Sequence, residues 1–99
     1  MSREQLLLRL EAYHPWNEQE EKDRALIMNW IRQYPDAFDR DNPVAHVTAS
    51  GWVINQDSGK VLMAYHRIYD SWAWLGGHAD GETDLLSVAL REVREESGL

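Results

Sequence analysis

The chain of 99 residues contains no cysteine, which excludes disulfide bonds, thiolate nucleophiles and cysteine-ligated zinc, and suits a reducing compartment such as the cytoplasm. Basic residues are also scarce. Ten Lys and Arg face seventeen Asp and Glu, and the net charge of −7 argues against bulk binding to nucleic acid or an anionic membrane. Apolar runs are too short to span a bilayer. The first residues, Met1–Gln5, lack the basic-then-apolar order of a signal peptide.

What the chain does contain is typical of a small globular domain. Apolar residues make up 43% of the sequence and charged residues 27%, a balance that favours folding over disorder. Five Trp and four Tyr add a large aromatic contribution to a small core. A chain of this length forms one domain or part of one.

Residues 1–43 carry two helix patterns. Each begins with a capping signal, Ser2 with Gln5 and Asn17 with Glu20, and each ends just before a proline. The second has apolar residues at helical spacing, namely Ile27, Trp30, Ile31 and Tyr34. The acidic stretch that follows, 36–43, is typical of a linker or short turn. We therefore expect a helical N-terminal extension over 1–43.

The pattern changes to β-structure after Pro43. Val44–Ile54 and Lys60–His66 are rich in strand-forming residues, and the turn-like Asn55–Gly59 between them predicts a β-hairpin. Trp72–Leu75 predicts a third short strand. Glycine fills three of the six positions of Gly76–Gly81, so we expect no regular structure there.

The last helix is predicted over Leu85–Ser97, with Asp84 as its N-cap and Gly98 as its C-cap residue. At 100° per residue, the apolar side chains Leu86, Leu90 and Val93 fall together, with Ala89 beside them and Ser97 in line. This face is predicted to pack against the rest of the domain.

Three carboxylates form a second arc on that helix. Glu92, Glu95 and Glu96 lie one turn apart, where like charges repel. Arg91 is spaced to reach Glu95 but cannot neutralise three acids. A divalent cation can, since Mg²⁺ and Mn²⁺ prefer carboxylate oxygens and bind phosphate on their open side. The alternative is an ordinary solvated acidic face.

The segment Gly77–Leu99 reads GHADGETDLLSVALREVREESGL and resembles the Nudix box, G-x5-E-x7-R-E-U-x-E-E-x-G-U, where U is a bulky apolar residue. Gly77 matches the opening glycine, and seven positions within Arg91–Leu99 match the second half in register. Thr83 stands where the box has its isolated glutamate, with Glu82 beside it. Leu75 stands where a proline often precedes the paired glycines.

The resemblance implies an α/β/α sandwich with a mixed sheet, formed incompletely here by residues 44–99. It implies hydrolysis of a nucleoside diphosphate linked to another moiety, with Mg²⁺ or Mn²⁺ as cofactor. By the same resemblance, the carboxylates of Glu92, Glu95 and Glu96 and the carbonyl of Gly77 would bind metal. One glutamate would instead act as base for the attacking water, and Arg91 would orient a box glutamate through an ion pair.

Other site candidates rest on position alone. His78 lies in the glycine segment, where it would contact phosphate or cap a turn. Arg67 ends the second strand, where it would meet an anionic substrate or simply be exposed. Trp72 and Trp74 alternate along one strand, which predicts that they pack together, in the core or as a packing platform, with base stacking as the alternative. The histidines at 14 and 46 receive no role.

The box ends with the chain, so we expect a truncated member with unpaired sheet edges and a tendency to pair with a second copy. Alone it is expected to be poorly active or inactive, unless another chain supplies the missing strands. A Nudix-fold binding or regulatory module without turnover is the alternative function. Nucleic-acid binding through the N-terminal helices is disfavoured, because residues 1–45 carry six basic and nine acidic side chains.

Overall fold

The computed structural model describes residues 1–57 and 59–99. It contains both helices and short strands, so the predicted α/β class is confirmed. In chain order the elements are α1 (Arg3–Ala12), α2 (Glu18–Gln33), β1 (Thr48–Gly51), β2 (Val53–Ile54), β3 (Val61–Leu62), β4 (Ala64–His66), β5 (Ser71–Ala73), β6 (Leu75–His78) and α3 (Leu85–Ser97). Within these ranges, no helix combines the length and apolar character needed to cross a membrane.

The helices begin and end where their caps predict. At α1, the Ser2 hydroxyl accepts from Gln5 N at 3.2 Å, and Gln5 Oε1 accepts from Ser2 N at 2.8 Å, which completes a capping box. At α2, Asn17 Oδ1 accepts from Glu20 N at 2.8 Å. The Glu20 side chain does not return to Asn17; it accepts from the Tyr13 hydroxyl and from the preceding backbone instead.

The predicted N- and C-cap residues of α3 are also confirmed. The Asp84 side chain accepts from Ser87 N, and Gly98 adopts the left-handed conformation with φ of 77°. The Ser87 hydroxyl also hydrogen-bonds to the Asp84 carboxylate at 2.9 Å. This bond is the main reason that the pKa of Asp84 lies below its ordinary value, and the nearby N-terminal amine lowers it further.

The strands form three antiparallel ribbons, β1 with β6, β2 with β3 and β4 with β5. The predicted hairpin is confirmed by the pairing of Val53 with Leu62. Its turn includes Ser58, which lies outside the described residues. Each long strand predicted from sequence is interrupted, at Trp52 and at Met63. Parallel pairing, which a mixed sheet requires, does not occur among the described strands.

The expectation of irregular structure after Leu75 is wrong for the first three residues. Gly76–His78 belong to β6, where Gly76 pairs with Ser50 and Gly77 with Ala49. The absence of a side chain on these glycines lets the backbone of β6 lie close to that of β1. A methyl group on Gly76 would lie 2.7 Å from the carbonyl oxygen of Ala49. Strand pairing of the backbone therefore overrides the low strand preference of glycine.

The face that α3 packs on the β1–β6 ribbon matches the predicted one only in part, since Ala89, Val93 and Ser97 are partly buried as expected. Val88 is fully buried, and Leu85 and Ala89 pack beside it. Leu86 and Leu90, predicted to pack, are 67% and 49% exposed. The helix is rotated so that Glu92, which lies on the same arc as Val88, faces the glycines of β6.

One hydrophobic core joins the N-terminal helices to the ribbon and α3. Its buried residues are Ile31, Ala37, Phe38, Ala49, Ala79 and Val88. The segment 36–43, predicted as a linker or short turn, forms turns but also buries Ala37 and Phe38. The carbonyl of Ala37 accepts from Val47 N at 2.8 Å. The division into 1–43 and 44–99 stays a prediction, and the two parts share this core.

Candidate active site

The free edge of β6 faces the side chains of α3. Ala79 N donates to the carbonyl of Val47 at 3.3 Å, so alternate residues direct their backbone groups towards β1 and the intervening ones direct theirs outward. Gly76 and His78 are the outward ones. Gly76 N donates to Glu96 Oε1 at 3.4 Å, and the carbonyl of His78 accepts from Arg91 Nη2 at 3.4 Å.

Glu92 lies directly against the second glycine of the pair. A methyl group on Gly77 would lie 2.5 Å from Glu92 Cδ and 2.7 Å from each carboxylate oxygen. The Glu92 side chain is only 17% exposed, and Arg91 Nη2 lies 3.5 Å from its Oε1. Arg91 therefore pairs with Glu92 in this structure, although its spacing also allowed Glu95.

Glu95 lies on the outer side of the helix. Its carboxylate is exposed and borders a shallow depression shared with Leu90, Arg91 and Arg94. Among residues 1–57 and 59–99, no three His, Asp or Glu side chains converge closely enough to form a metal-binding group. The structure thus brings Glu92 and Glu96 to the glycines and leaves Glu95 apart from them.

The residues at this edge fit a hard divalent cation by their chemistry. The two carboxylates of Glu92 and Glu96, one turn apart, and the outward carbonyl of Gly76 offer oxygen atoms, the ligands that Mg²⁺ and Mn²⁺ favour. The volume that a Cβ of residue 77 would fill is taken by the Glu92 carboxylate. Glycine at this position is therefore what allows the acid to reach the strand.

Thr83, at the departure from the box, contacts the start of the chain. Its hydroxyl donates to the carbonyl of Met1 at 3.0 Å. The amine of Met1 lies 3.6 Å from Asp84 Oδ2. Thr83 thus offers no carboxylate to Arg91, whose acidic partner is Glu92.

A histidine pair lies at the end of β6, and the sequence did not reveal it. His46 Nε2 and His78 Nδ1 are 2.8 Å apart, so one imidazole donates and the other accepts. The sequence alone indicates no role for His46, because it has no partner at ligand spacing along the chain. The signal that would have found it is the strand register, in which Thr48 pairs with His78.

An ion pair also missed in the sequence holds the loop before α3. Arg40 Nε and Nη2 donate to the two carboxylate oxygens of Asp80 at 2.8 and 2.9 Å. This bond lowers the pKa of Asp80, and the charges of Arg40, His78 and Arg91 lower it further, while partial desolvation opposes them. Asp80 has a positive φ of 51°, and Gly81 N donates to the carbonyl of Phe38 at 2.8 Å.

The remaining candidate residues, Arg67, Trp72 and Trp74, lie in the β4–β5 ribbon or just after it. Arg67 is exposed in the turn between β4 and β5, and in the described part of the chain no hydrogen bond or ion pair links it to β6 or α3. Burial of the tryptophans in the core is wrong, because Trp72 and Trp74 are 66% and 55% exposed. They also pack apart, Trp72 against Tyr65 and Trp74 against Trp52.

Residues 44–99, more than half of the chain, match the family model of the NUDIX domain. The chain therefore belongs to the Nudix family. It is similar to the Xenopus laevis protein Nucleoside diphosphate-linked moiety X motif 6, with 30% identity over 81 residues, which cover 80% of this chain and 37% of that protein. The human protein of the same name is 29% identical over 82 residues, or 80% of this chain and 25% of the human one. The chain thus spans about a third or less of the length of these relatives.

Proposed function

We propose that the chain hydrolyses the diphosphate linkage of a nucleoside diphosphate derivative, with Mg²⁺ or Mn²⁺ as cofactor. The observation that carries this proposal is the meeting of Glu92 and Glu96 with the paired glycines of β6. The names of the frog and human relatives, which refer to nucleoside diphosphate-linked moieties, support the substrate class. Family membership supports the reaction type.

The oxygen donors for the cation would be the carboxylates of Glu92, Glu95 and Glu96. The carbonyl of Gly77, which the resemblance implies as a ligand, is directed towards β1 in the ribbon and would have to turn outward to bind the cation. The carbonyl of Gly76 is a further backbone oxygen on the side where Glu96 lies, since it points the same way as the N–H that meets this carboxylate. Bound there, the cation would offset phosphate charge and lower the pKa of a coordinated water.

The protein side chains would transfer the proton, position Glu92 and contact the substrate. One of the three glutamates would accept the proton of the attacking water, which adds to phosphorus in line with the bridging oxygen that leaves. Arg91 would hold Glu92 in place through the contact seen at 3.5 Å. His78, on the same strand edge, and Arg67, from the β4–β5 turn, would contact the anionic substrate.

A second candidate function is a Nudix-fold binding module without turnover. The specific observation that favours it is Thr83, which hydrogen-bonds to Met1 and provides no acid to position Arg91. A module of this kind would keep the cation and the substrate in place without cleaving the linkage.

Formation of nucleoside monophosphate from a panel of nucleoside diphosphate derivatives, with Mg²⁺ and with Mn²⁺, tests the proposal. The 99-residue chain and any longer natural polypeptide containing it should both be assayed. Glu95→Gln should reduce the rate by about 10²–10⁴-fold, whereas the control Glu4→Gln, an exposed acid in the first turn of α1, should not. Turnover that needs no divalent cation contradicts the proposal. Tight substrate binding without turnover favours the second candidate.

Two further properties belong to the same proposal. The activity would be located in the cytoplasm, a reducing compartment suited to a chain without cysteine. Each described strand is hydrogen-bonded to a single neighbour, so a second copy would pair through a free edge. Sedimentation equilibrium should then show a concentration-dependent dimer, and a strictly monomeric chain would contradict this part of the proposal.

A further inference from the structure

We infer that Trp52 and Trp74 form a stacking platform for the base of the nucleotide substrate. The inference rests on the proposed function and adds the group by which the substrate is held. Neither indole belongs to the hydrophobic core, and Trp52 and Trp74 are 62% and 55% exposed. Their ring centroids are 6.5 Å apart at 54°, so each ring supports the other and both retain accessible surface.

The platform adjoins the edge where the carboxylates meet the glycines. Trp74 comes just before β6 and is two residues from Gly76, a separation of about 7 Å along an extended chain. Trp52 directly follows Gly51, which pairs with Leu75. The two indoles therefore stand side by side at one end of the β1–β6 ribbon.

The face of the ribbon continues from the indoles to the edge without a bulky side chain. Residues two apart in a strand share a face, so Trp74 and Gly76 point to the side opposite α3, which Gly77 faces. A methyl group on Gly76 would lie 2.7 Å from the Ser50 hydroxyl. This hydroxyl thus lies beside Gly76 on the face that carries the indoles, where it can bind a sugar or phosphate oxygen.

Stacking suits the charge of this molecule. The net charge of −7 does not attract an anionic nucleotide through the overall field, so neutral contacts must contribute to binding. An indole face stacks on any base, which makes such contacts tolerant of base identity. The platform therefore selects for a nucleoside group in general and leaves the choice of base open.

The test compares two probes that differ in the base alone, AMP and ribose 5-phosphate, measured by calorimetry with Mg²⁺ present. Trp52→Leu and Trp74→Leu should each weaken AMP binding about tenfold and leave ribose 5-phosphate binding unchanged. Trp16→Leu is the matched control, because Trp16 is 86% exposed in the segment between α1 and α2, and it should change neither.

Conservative variants keep the test decisive if a leucine variant fails to fold. Trp52→Phe and Trp74→Phe retain an aromatic face and should recover most of the AMP affinity. Equal loss for both probes would show a structural role and overturn the inference, as would unchanged AMP binding in all four variants. Binding requires no turnover, so these results stand even if the chain hydrolyses nothing. Hydrolysis of a base-free diphosphate by a chain that does not bind AMP would overturn the platform alone.

Discussion

The two sides of α3 depart from the usual arrangement of a surface helix at three positions. Leu86 and Leu90 are exposed, whereas the carboxylate of Glu92 is turned inward to the strand. The glycines of the ribbon account for this difference. Methyl groups on Gly51 and Gly77 would each lie 2.5 Å from an α3 side chain, Val93 and Glu92 respectively. The helix is thus positioned by close approach at glycine, and an acid takes a place that apolar patterning assigns to leucine.

The largest effect on the rate should appear when one residue on the inward side of α3 and one on its exposed side are each substituted. Glu92→Gln keeps the shape of the inward side chain but removes its charge, so the proposed hydrolysis should fall about 10²–10⁴-fold. Leu86→Gln on the exposed side should leave the rate unchanged. Steady-state rates with Mg²⁺ measure both variants. Equal rates for the Glu92→Gln and Leu86→Gln variants would show that the inward position of Glu92 does not contribute to hydrolysis.

Alanine at the two glycines should separate function from stability. In Gly77→Ala the three atoms nearest the new methyl all belong to the flexible end of Glu92, so the carboxylate moves and the rate should fall about 10²-fold with little change in stability. In Gly76→Ala the methyl meets backbone atoms of Ala49 and Ser50, which should cost about 1–3 kcal/mol.

Urea unfolding combined with rate measurements distinguishes the two outcomes for these glycine variants. A large loss of stability in Gly77→Ala would mean that the Glu92 side chain is held too firmly to move. An unchanged stability in Gly76→Ala would mean that the paired strands separate more easily than their register indicates.

A third comparison concerns apolar groups alone. Val88 is fully buried beneath the helix, so Val88→Ala should lower the free energy of unfolding by about 2 kcal/mol. Leu90 is half exposed, and Leu90→Ala should change it by about 0.5 kcal/mol or less. Chemical denaturation of the two variants measures the difference. Similar losses would show that the outer side of α3 is covered in solution.

The smallest effect concerns the loop that leads into α3. The Arg40 guanidinium holds the pKa of Asp80 below its ordinary value. Because the folded-state pKa is depressed, the pair stabilises the fold above the unfolded pKa, and this contribution is lost as the pH falls through the folded pKa. We expect Arg40→Gln to raise the Asp80 pKa, measured by NMR titration below about pH 5. An unchanged Asp80 pKa in this variant would show that a group other than Arg40 lowers it.

Helix limits were readily predicted because their determinants are local. Asp84 and Gly98 cap α3 with atoms a few residues away, and Ser2 does the same for α1. The rotation of α3 was not predictable from its own periodicity. It depends on Gly51 and Gly77, which lie on separate strands brought together only by the fold.

The candidate site shows the same division between local and distant information. The carboxylates of Glu92 and Glu96 were predicted from their spacing on one helix, which the structure places against β6. The partner of His78 is 32 residues distant, and the Arg40–Asp80 pair joins residues 40 apart. Contacts of such separation leave no periodic signal in a single sequence, so only the structure reveals them.

The turn segment 36–43 has a practical consequence for dissecting this protein. Arg40 forms an ion pair with Asp80, and the carbonyls of Ala37 and Phe38 accept hydrogen bonds from Val47 N and Gly81 N. A recombinant fragment trimmed to the family-matched region 44–99 would lose all of these attachments at once and expose the underside of the ribbon. Attempts to isolate a minimal catalytic unit should therefore retain the preceding residues, and poor behaviour of a shorter fragment would say nothing about its chemistry.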